Sequence, residues 1–394
     1  MLQALLGASL FLWSCLGAWL LWNSRGAGLL RAHSALEPMS VPARWPKVSI
    51  LVPARNEEES LPALLHSLLR LDYPDYEVIV VDDHSTDGTG RVAEEWSRRP
   101  EAQGRLRVIH HREPAPGWTG KVYALHLAAG AATGEWILST DADVVFHPRV
   151  LRLAMSAALG RGVSLVSLTP DFVYGSFWEK AVLPAFAMLL FALFPLRWVN
   201  HPRSSRAIAA GAFILMRRDD FRALGGYEPL AHVVNEDLRI AEHFKRQGRR
   251  IWLIPSRGLI RTRMYNGAGE MFEGLSRSAF EGAGYSVVKI LAGILVGLLM
   301  AVLPWVAAAL VGIRDGLRGQ PLLQDQALLL ALTACAVSAW VYLPAPIFLG
   351  VSPGFVFTLP LAAVFYSAAS LNSTWTSLAG RGVSWKGRYY RPAC

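Results

Sequence analysis

Four short runs in this 394-residue chain carry side chains whose types and spacing suit chemistry. Asp141-Ala142-Asp143 sets two carboxylates two residues apart, and in an extended segment such residues point to the same side. Converging carboxylates make a site for a hard divalent cation, Mg²⁺ or Mn²⁺, whose remaining positions go to water and phosphate oxygens. Such a cation would neutralise a diphosphate as charge develops on it. A bare Asp-x-Asp also occurs as a solvated turn, so its position must decide. Asp82-Asp83 could hydrogen-bond a base edge and ribose hydroxyls, or could be solvated or cap the next helix, a role that also suits Asp87. Gly117-Trp118-Thr119-Gly120-Lys121 opens a helix. Glycines admit close backbone approach, a helix N-terminus favours anions, and Lys121 could touch a diphosphate. The run does not meet the P-loop pattern. Asn235-Glu236-Asp237 precedes Leu238, Ile240, Ala241 and Phe244 at mostly helical spacing, which puts two carboxylates at a helix start. One of them could take a proton from an acceptor hydroxyl; the alternative is a pair of ordinary first-turn acids.

The elements around these runs read as an α/β protein. Residues 48–52 form an uncharged apolar run suited to a buried parallel strand, ended by Pro53. Leu61, Leu64, Leu65 and Leu68 follow at helical spacing, with Glu57, Glu58 and Glu59 expected in the first turn of that helix. Strand 77–81, a loop from Asp82 to Gly88 and a helix over 89–98 repeat the unit. Strand 106–110, helix 122–132 and strand 135–140 continue it, the last ending at Asp141. Alternating strands and helices imply a parallel sheet with helices on both faces, and ligands then sit beyond the C-terminal strand ends, where the acidic runs fall.

Composition adds a membrane. Apolar residues make up 53% and charged residues 18% of the chain, and the apolar excess is concentrated at the two ends. Residues 2–22 are about one bilayer long and lack a cleavage site, so they read as an uncleaved anchor. Arg25 and Arg31 follow, which places the next segment in the cytosol. Further apolar stretches cover 287–313, 327–349 and 354–375. Three crossings there would leave the tail outside, whereas Arg381, Lys386, Arg388 and Arg391 argue for the cytosol. Pro344, Pro346, Pro353 and Pro360 suggest that one of the last two stretches is broken or re-entrant, and a cytosolic tail is expected. Residues 181–196 are short for a span and read as an interfacial helix, with Trp178 and Trp198 at headgroup level; a buried core helix is the alternative. The net charge of +9 fits anionic headgroups, since no nucleic-acid-binding motif accompanies it. Cys15, Cys335 and Cys394 form no disulfide framework and no metal pattern.

Taken together, Val52-Pro53-Ala54-Arg55-Asn56-Glu57-Glu58, Val81-Asp82-Asp83-His84-Ser85-Thr86-Asp87-Gly88-Thr89, Asp141-Ala142-Asp143, Gly225-Gly226-Tyr227 and Asn235-Glu236-Asp237 resemble family 2 glycosyltransferases of the GT-A fold. The resemblance covers roughly residues 47 to 285. Gly120-Lys121, Gly211-Ala212-Phe213 and Trp385-Lys386-Gly387-Arg388 bring it closest to membrane-bound hopanoid- and carotenoid-associated members, with ceramide glucosyltransferases more distant. It implies that Pro53, Arg55, Asn56, Glu57, Asp82, Asp83, Lys121 and Asp141 bind a nucleotide-sugar, with a UDP-sugar expected. It implies too that Asp141 and Asp143 hold the metal, and that Asp237, with Glu236 beside it, is the base for inversion by direct displacement. The [Q/R]-x-x-R-W motif of processive and ceramide-type enzymes is missing after Asp237, which disfavours a polysaccharide synthase. Arg277, Trp385 and Arg388 are then the candidates for clamping acceptor or donor.

The expected organisation is an anchor over 1–24, a cytosolic GT-A domain over 47–285 with an interfacial helix at about 178–199, a transmembrane region over 286–375 and a basic cytosolic tail over 376–394. The expected activity is transfer of one sugar to a lipid-type acceptor, such as a hopanoid or carotenoid, at the cell membrane. A non-catalytic scaffold or nucleotide-binding pseudoenzyme is the reading from another class, and a transporter is a weaker third.

Overall fold

The computed structural model describes residues 1–27, 42–112, 115–321, 324–380, 383–385 and 388–390. Arg31, Arg381, Lys386 and Arg391, and the side chains of Arg25, Trp385 and Arg388, lie outside the described residues. In chain order, helix α1 (Leu2–Ala27) precedes β1 (Val48–Ala54), α2 (Leu61–Leu68), β2 (Tyr76–Asp83), α3 (Thr89–Ser97), β3 (Leu106–His111), α4 (Gly120–Ala131) and β4 (Trp136–Ser139). Then come β5 (Val144–Phe146), α5 (Val150–Arg161), β6 (Leu165–Thr169), β7 (Asp171–Phe172), α6 (Phe177–Leu193) and α7 (Leu196–Val199). They are followed by β8 (Ile214–Arg217), α8 (Arg218–Ala223), α9 (Glu236–Arg246), β9 (Ile251–Pro255) and β10 (Ile260–Thr262). Helices α10 (Ala268–Gly282), α11 (Val287–Ala301), α12 (Leu303–Leu317), α13 (Gln326–Tyr342), α14 (Pro344–Phe348) and α15 (Leu359–Leu378) lead to a two-stranded ribbon, Val383–Trp385 with Arg388–Tyr390.

Two compact units result. The sheet unit comprises the described residues within 27–173 and 196–264, and the helical unit those within 1–26, 174–195 and 265–390. The sheet unit has seven strands in the order β3-β2-β1-β4-β8-β6-β9. Neighbours in β3-β2-β1-β4 are parallel, and helices α2, α3 and α4 lie between successive members of the set in the chain, as parallel pairing requires. β8 pairs antiparallel with both β4 and β6, so the sheet is mostly parallel, as a GT-A fold implies. Val78 and Val80 of β2 join the core formed with Leu61, Leu64, Leu65 and Leu68 of α2, and Val92 and Trp96 of α3. Ile79 and Val81, one residue out of phase, turn to the other face, which α4 covers. The first turn of α2 carries no acid, contrary to expectation: Glu57, Glu58 and Glu59 precede it, because Ser60 is the cap residue. β1 runs through Pro53, which lies beyond the ladder with β4 and so needs no amide hydrogen on that side.

Among the described residues of the helical unit, three helices are long and apolar enough to cross a membrane, Leu2–Ser24, Gln326–Phe348 and Pro353–Leu378, or four spans if α11 and α12 count as one bent span. The sequence placed the break among Pro344, Pro346, Pro353 and Pro360; the structure adds a 42° bend between α11 and α12, where Pro304 offers no amide hydrogen. α1 orders its neighbours by height. Leu6 clusters with Ala307 and Ala331, and Trp13 with Ala301, Tyr342, Val356 and Leu359. Ser9 Oγ and Trp13 Nε1 donate to Met300 O at 3.3 and 2.8 Å, and Trp19 Nε1 donates to Ala192 O at 3.0 Å. α6 is capped by Ser176 and buries Ala181, Val182 and Leu183 against Met271, Leu275, Ala362 and Ala369. Its 17 residues rise about 25 Å, short of the ~30 Å hydrocarbon core.

Candidate active site

β4 ends at the centre of the sheet, and Thr140 extends its ladder by donating N–H to Leu51 O at 3.1 Å. Thr140 Oγ1 donates to Ala212 O at 2.8 Å, which fixes the strand end against the segment leading into β8. The turn that follows carries Asp141 and Asp143. Asp143 Oδ2 accepts from Thr262 Oγ1 of β10 at 3.0 Å, a contact made possible because β10 pairs with β5 directly after the turn. Burial, reinforced by the charges of Asp141 and Glu57, pushes the Asp143 carboxyl up to about 7. Three carboxylates therefore act on one another at this strand end.

Lys121 reaches the same place from the start of α4. Thr119, before it, is buried, and its N–H and Oγ1 donate to Ala231 O (2.7 Å) and Val233 O (3.1 Å). The Lys121 ammonium lies 2.6 Å from Asp141 Oδ1 and 2.5 Å from Glu236 Oε1. Burial alone would lower its pKa, but the charges of Asp141, Glu236 and Asp237 outweigh it and hold the ammonium charged.

Glu236 and Asp237 open α9, as their spacing predicts. Asp237 Oδ1 accepts from Leu238 N at 2.7 Å, and Oδ2 from Gly211 N at 3.3 Å. Burial and then the neighbouring Glu236 charge raise its carboxyl to about 7, with Lys121 opposing them. Gly211 also explains a glycine: a Cβ there would stand 3.0 Å from Asp141 Oδ2 and 3.3 Å from Lys121 Nζ. Tyr227 supports the floor. Gly225 and Gly226 take φ of +83° and +62°, a turn that buries Tyr227 edge-on to Phe221, with its hydroxyl hydrogen-bonded to Ser139.

The expected nucleotide-binding residues gather at the ends of β1 and β2. Arg55 Nη1 donates to Asp83 O and His84 O, both at 2.9 Å. Asn56, at φ +51°, donates N–H to Ser85 Oγ (3.1 Å) and accepts from Thr86 N (2.9 Å). Glu57 N donates to Thr89 Oγ1 at 2.7 Å. These residues tie the two loops together. β2 extends through Asp83, so Asp82 and Asp83 belong to the strand rather than the loop and turn to opposite faces. Asp82 lies 3.2 Å from His110 Nδ1, while Asp83 is buried, 3.3 Å from His84 Nδ1. Asp83, His84 and His111 offer ligand atoms within 4.8 Å of one another, an imidazole-carboxylate group distinct in chemistry from the all-oxygen Asp141–Asp143 pair. Arg277 lies on α10 and Trp385 and Arg388 on the terminal ribbon, all in the helical unit. Sequence reasoning missed Thr262 and Thr119, whose roles depend on pairings between distant segments.

A family model described as glycosyl transferase family 2 matches residues 49–225. The 4,4'-diaponeurosporenoate glycosyltransferase of Staphylococcus aureus (strain USA300) is 24% identical over 371 residues, covering 93% of this chain and 94% of that one. The corresponding protein of the bovine strain RF122 / ET3-1 is 26% identical over 277 residues, 69% of this chain and 71% of its own. Among solved structures, the mannosyltransferase PcManGT from Pyrobaculum calidifontis, in complex with GDP-Man and Mn²⁺, superposes with a TM-score of 0.57 at 22% identity, over 95% of this chain and 99% of that one. The fold is that of the GT-A class, and residues 49–225 match the model of glycosyl transferase family 2, whose members transfer a sugar from a nucleotide-sugar donor.

Proposed function

We propose that this enzyme transfers a single sugar from a nucleoside diphosphate sugar to a lipid-type acceptor at the cytosolic face of the cell membrane, with inversion. The observation that carries the reading is Asp237, a carboxyl raised to about 7 by burial and Glu236, held at a helix start beside the Lys121–Asp141 pair. A half-buried carboxylate with that affinity for a proton suits removal of an acceptor proton as the acceptor attacks the anomeric carbon. Gly211 N and Leu238 N orient it. The nucleoside end lies at Asp82 and Asp83, with Pro53, Arg55, Asn56 and Glu57 shaping the adjoining loop. A carotenoid acid is the acceptor named for the Staphylococcus relatives, which supports a lipid here.

Asp141 and Asp143 fit a divalent cation. Both offer only oxygen, and the Asp143 carboxyl, raised by burial and then by the charges of Asp141 and Glu57, is one whose ionised form a cation would stabilise. Bound Mg²⁺ or Mn²⁺ would supply charge neutralisation at the donor diphosphate. Thr262 orients Asp143 for that role, and Lys121 adds a second positive charge.

The proposed organisation keeps an anchor over 1–24, a catalytic domain over 47–285, a transmembrane region over 286–375 and a cytosolic tail. The heights along α1 support that tail: α11 and α12 carry the chain outward from Trp13 towards Leu6, and α13 returns it inward to Tyr342, at Trp13. α15, starting from the same cluster at Leu359, completes the return.

The test is transfer of radiolabelled sugar into the lipid fraction by the full chain in membranes, first from UDP-sugars and then from GDP-Man. Asp237→Asn is expected to lower the rate by about 10²–10⁴-fold with donor binding retained, and Asp143→Ala to reduce it to background. Full activity in either variant would remove that residue's role.

A further inference from the structure

The Lys121 ammonium occupies an unusual place. It bridges Asp141, at the end of β4, and Glu236, at the start of α9, at 2.6 and 2.5 Å. Gly211 closes the space on another side, since even a Cβ there would come within 3.3 Å of Nζ and 3.0 Å of Asp141 Oδ2. One ammonium therefore satisfies carboxylates of both halves of the site, and it does so on an oxygen of the carboxylate proposed to hold the metal. Two cations on one carboxylate repel each other, and the repulsion is stronger where water is scarce.

We propose that Lys121 is an internal counter-ion that holds Asp141 against a metal until a nucleoside diphosphate draws it away. The inference rests on the assignment of Asp141 and Asp143 as metal ligands. A diphosphate brings negative charge of its own, so the ammonium can leave Asp141 for a phosphate oxygen without losing a partner. Its second tie, to Glu236, keeps it in the site while it does so. Metal and nucleotide then bind with positive coupling through one side chain, and the coupling is reciprocal. Lys121 is in this respect a positioning residue, acting on the metal through Asp141.

The measurement is Mn²⁺ binding to the full chain in detergent, followed by electron paramagnetic resonance, with and without UDP or GDP. Wild type is expected to bind Mn²⁺ weakly alone and about tenfold more tightly with the nucleotide. Lys121→Met is expected to bind Mn²⁺ about tenfold more tightly than wild type without nucleotide, and the enhancement by nucleotide is expected to shrink. Lys121→Gln must move in the same direction, and Lys121→Arg must stay near wild type. Unchanged Mn²⁺ affinity and unchanged enhancement in folded Lys121→Met or Lys121→Gln would overturn the proposal. Asp143→Ala separates the two readings. If that variant loses Mn²⁺, the metal site stands whatever Lys121 does; if it binds Mn²⁺ as wild type does, the metal assignment falls and the counter-ion role with it.

Discussion

At the scale of single residues, the site is a problem in crowded charge: Asp141, Asp143, Glu236 and Asp237 share a partly buried region with the Lys121 ammonium. Because the Asp237 carboxyl is raised to about 7, its basic form is scarce at lower pH. The acid side of the kcat/KM profile should therefore rise with pH through about 7. Glu236 raises Asp237, so Glu236→Gln should move that limb to lower pH; a limb that stays put or moves up would contradict the account. Gly211→Ala should cost about tenfold to a hundredfold in kcat/KM while leaving the melting temperature within a degree or two, because its Cβ meets Asp141 and Lys121 rather than the core. The carboxylates were legible in the sequence because each pair sits at the end of an apolar strand or the start of a helix. Their partners were not. Thr262 is 119 residues from Asp143, and no local pattern distinguishes a threonine that orients a carboxylate from one that fills a strand.

At the scale of elements, the parallel half of the sheet could be read because its central strands are apolar runs, and because β1, β2 and β3 are each followed by a helix with apolar residues at helical spacing. The antiparallel β8 could not be read that way: Ile214, Leu215 and Met216 form the same kind of run, and direction is set by the connection rather than by composition. The segment between α7 and β8 has no regular structure, yet it positions Gly211. The Lys245 ammonium of α9 holds it, sharing its three hydrogens among the carbonyls of Trp198 in α7 and His201, Ser204 and Arg206 of the segment, at 3.2, 3.1, 3.0 and 2.8 Å. Lys245→Met should leave those carbonyls short of a donor, at about 1–2 kcal/mol. The expected result is a melting temperature lower by several degrees and faster proteolysis between residues 198 and 206. Unaltered cleavage there would show that the lysine is not what holds the segment.

At the scale of the whole molecule, the organisation proposed here makes a topological prediction. In a background without Cys15, Cys335 and Cys394, Gln320→Cys should react with a membrane-impermeant thiol reagent applied outside the cell. Ala379→Cys should react only after the membrane is opened. The reverse pattern would place the tail outside and undo the argument from α1. The order β3-β2-β1-β4-β8-β6-β9 bears on how such a molecule is made. The half with Asp82 and Asp83 closes from one contiguous stretch, and a ribosome adding about 5–20 residues per second delivers it early. Asp237 and Thr262 emerge only after α6 has been synthesised. The half proposed to bind nucleotide can therefore be complete on the nascent chain while the half proposed to hold the base still waits on α6, so on that assignment a chain stalled at that point would hold a donor-binding surface with no means of using it.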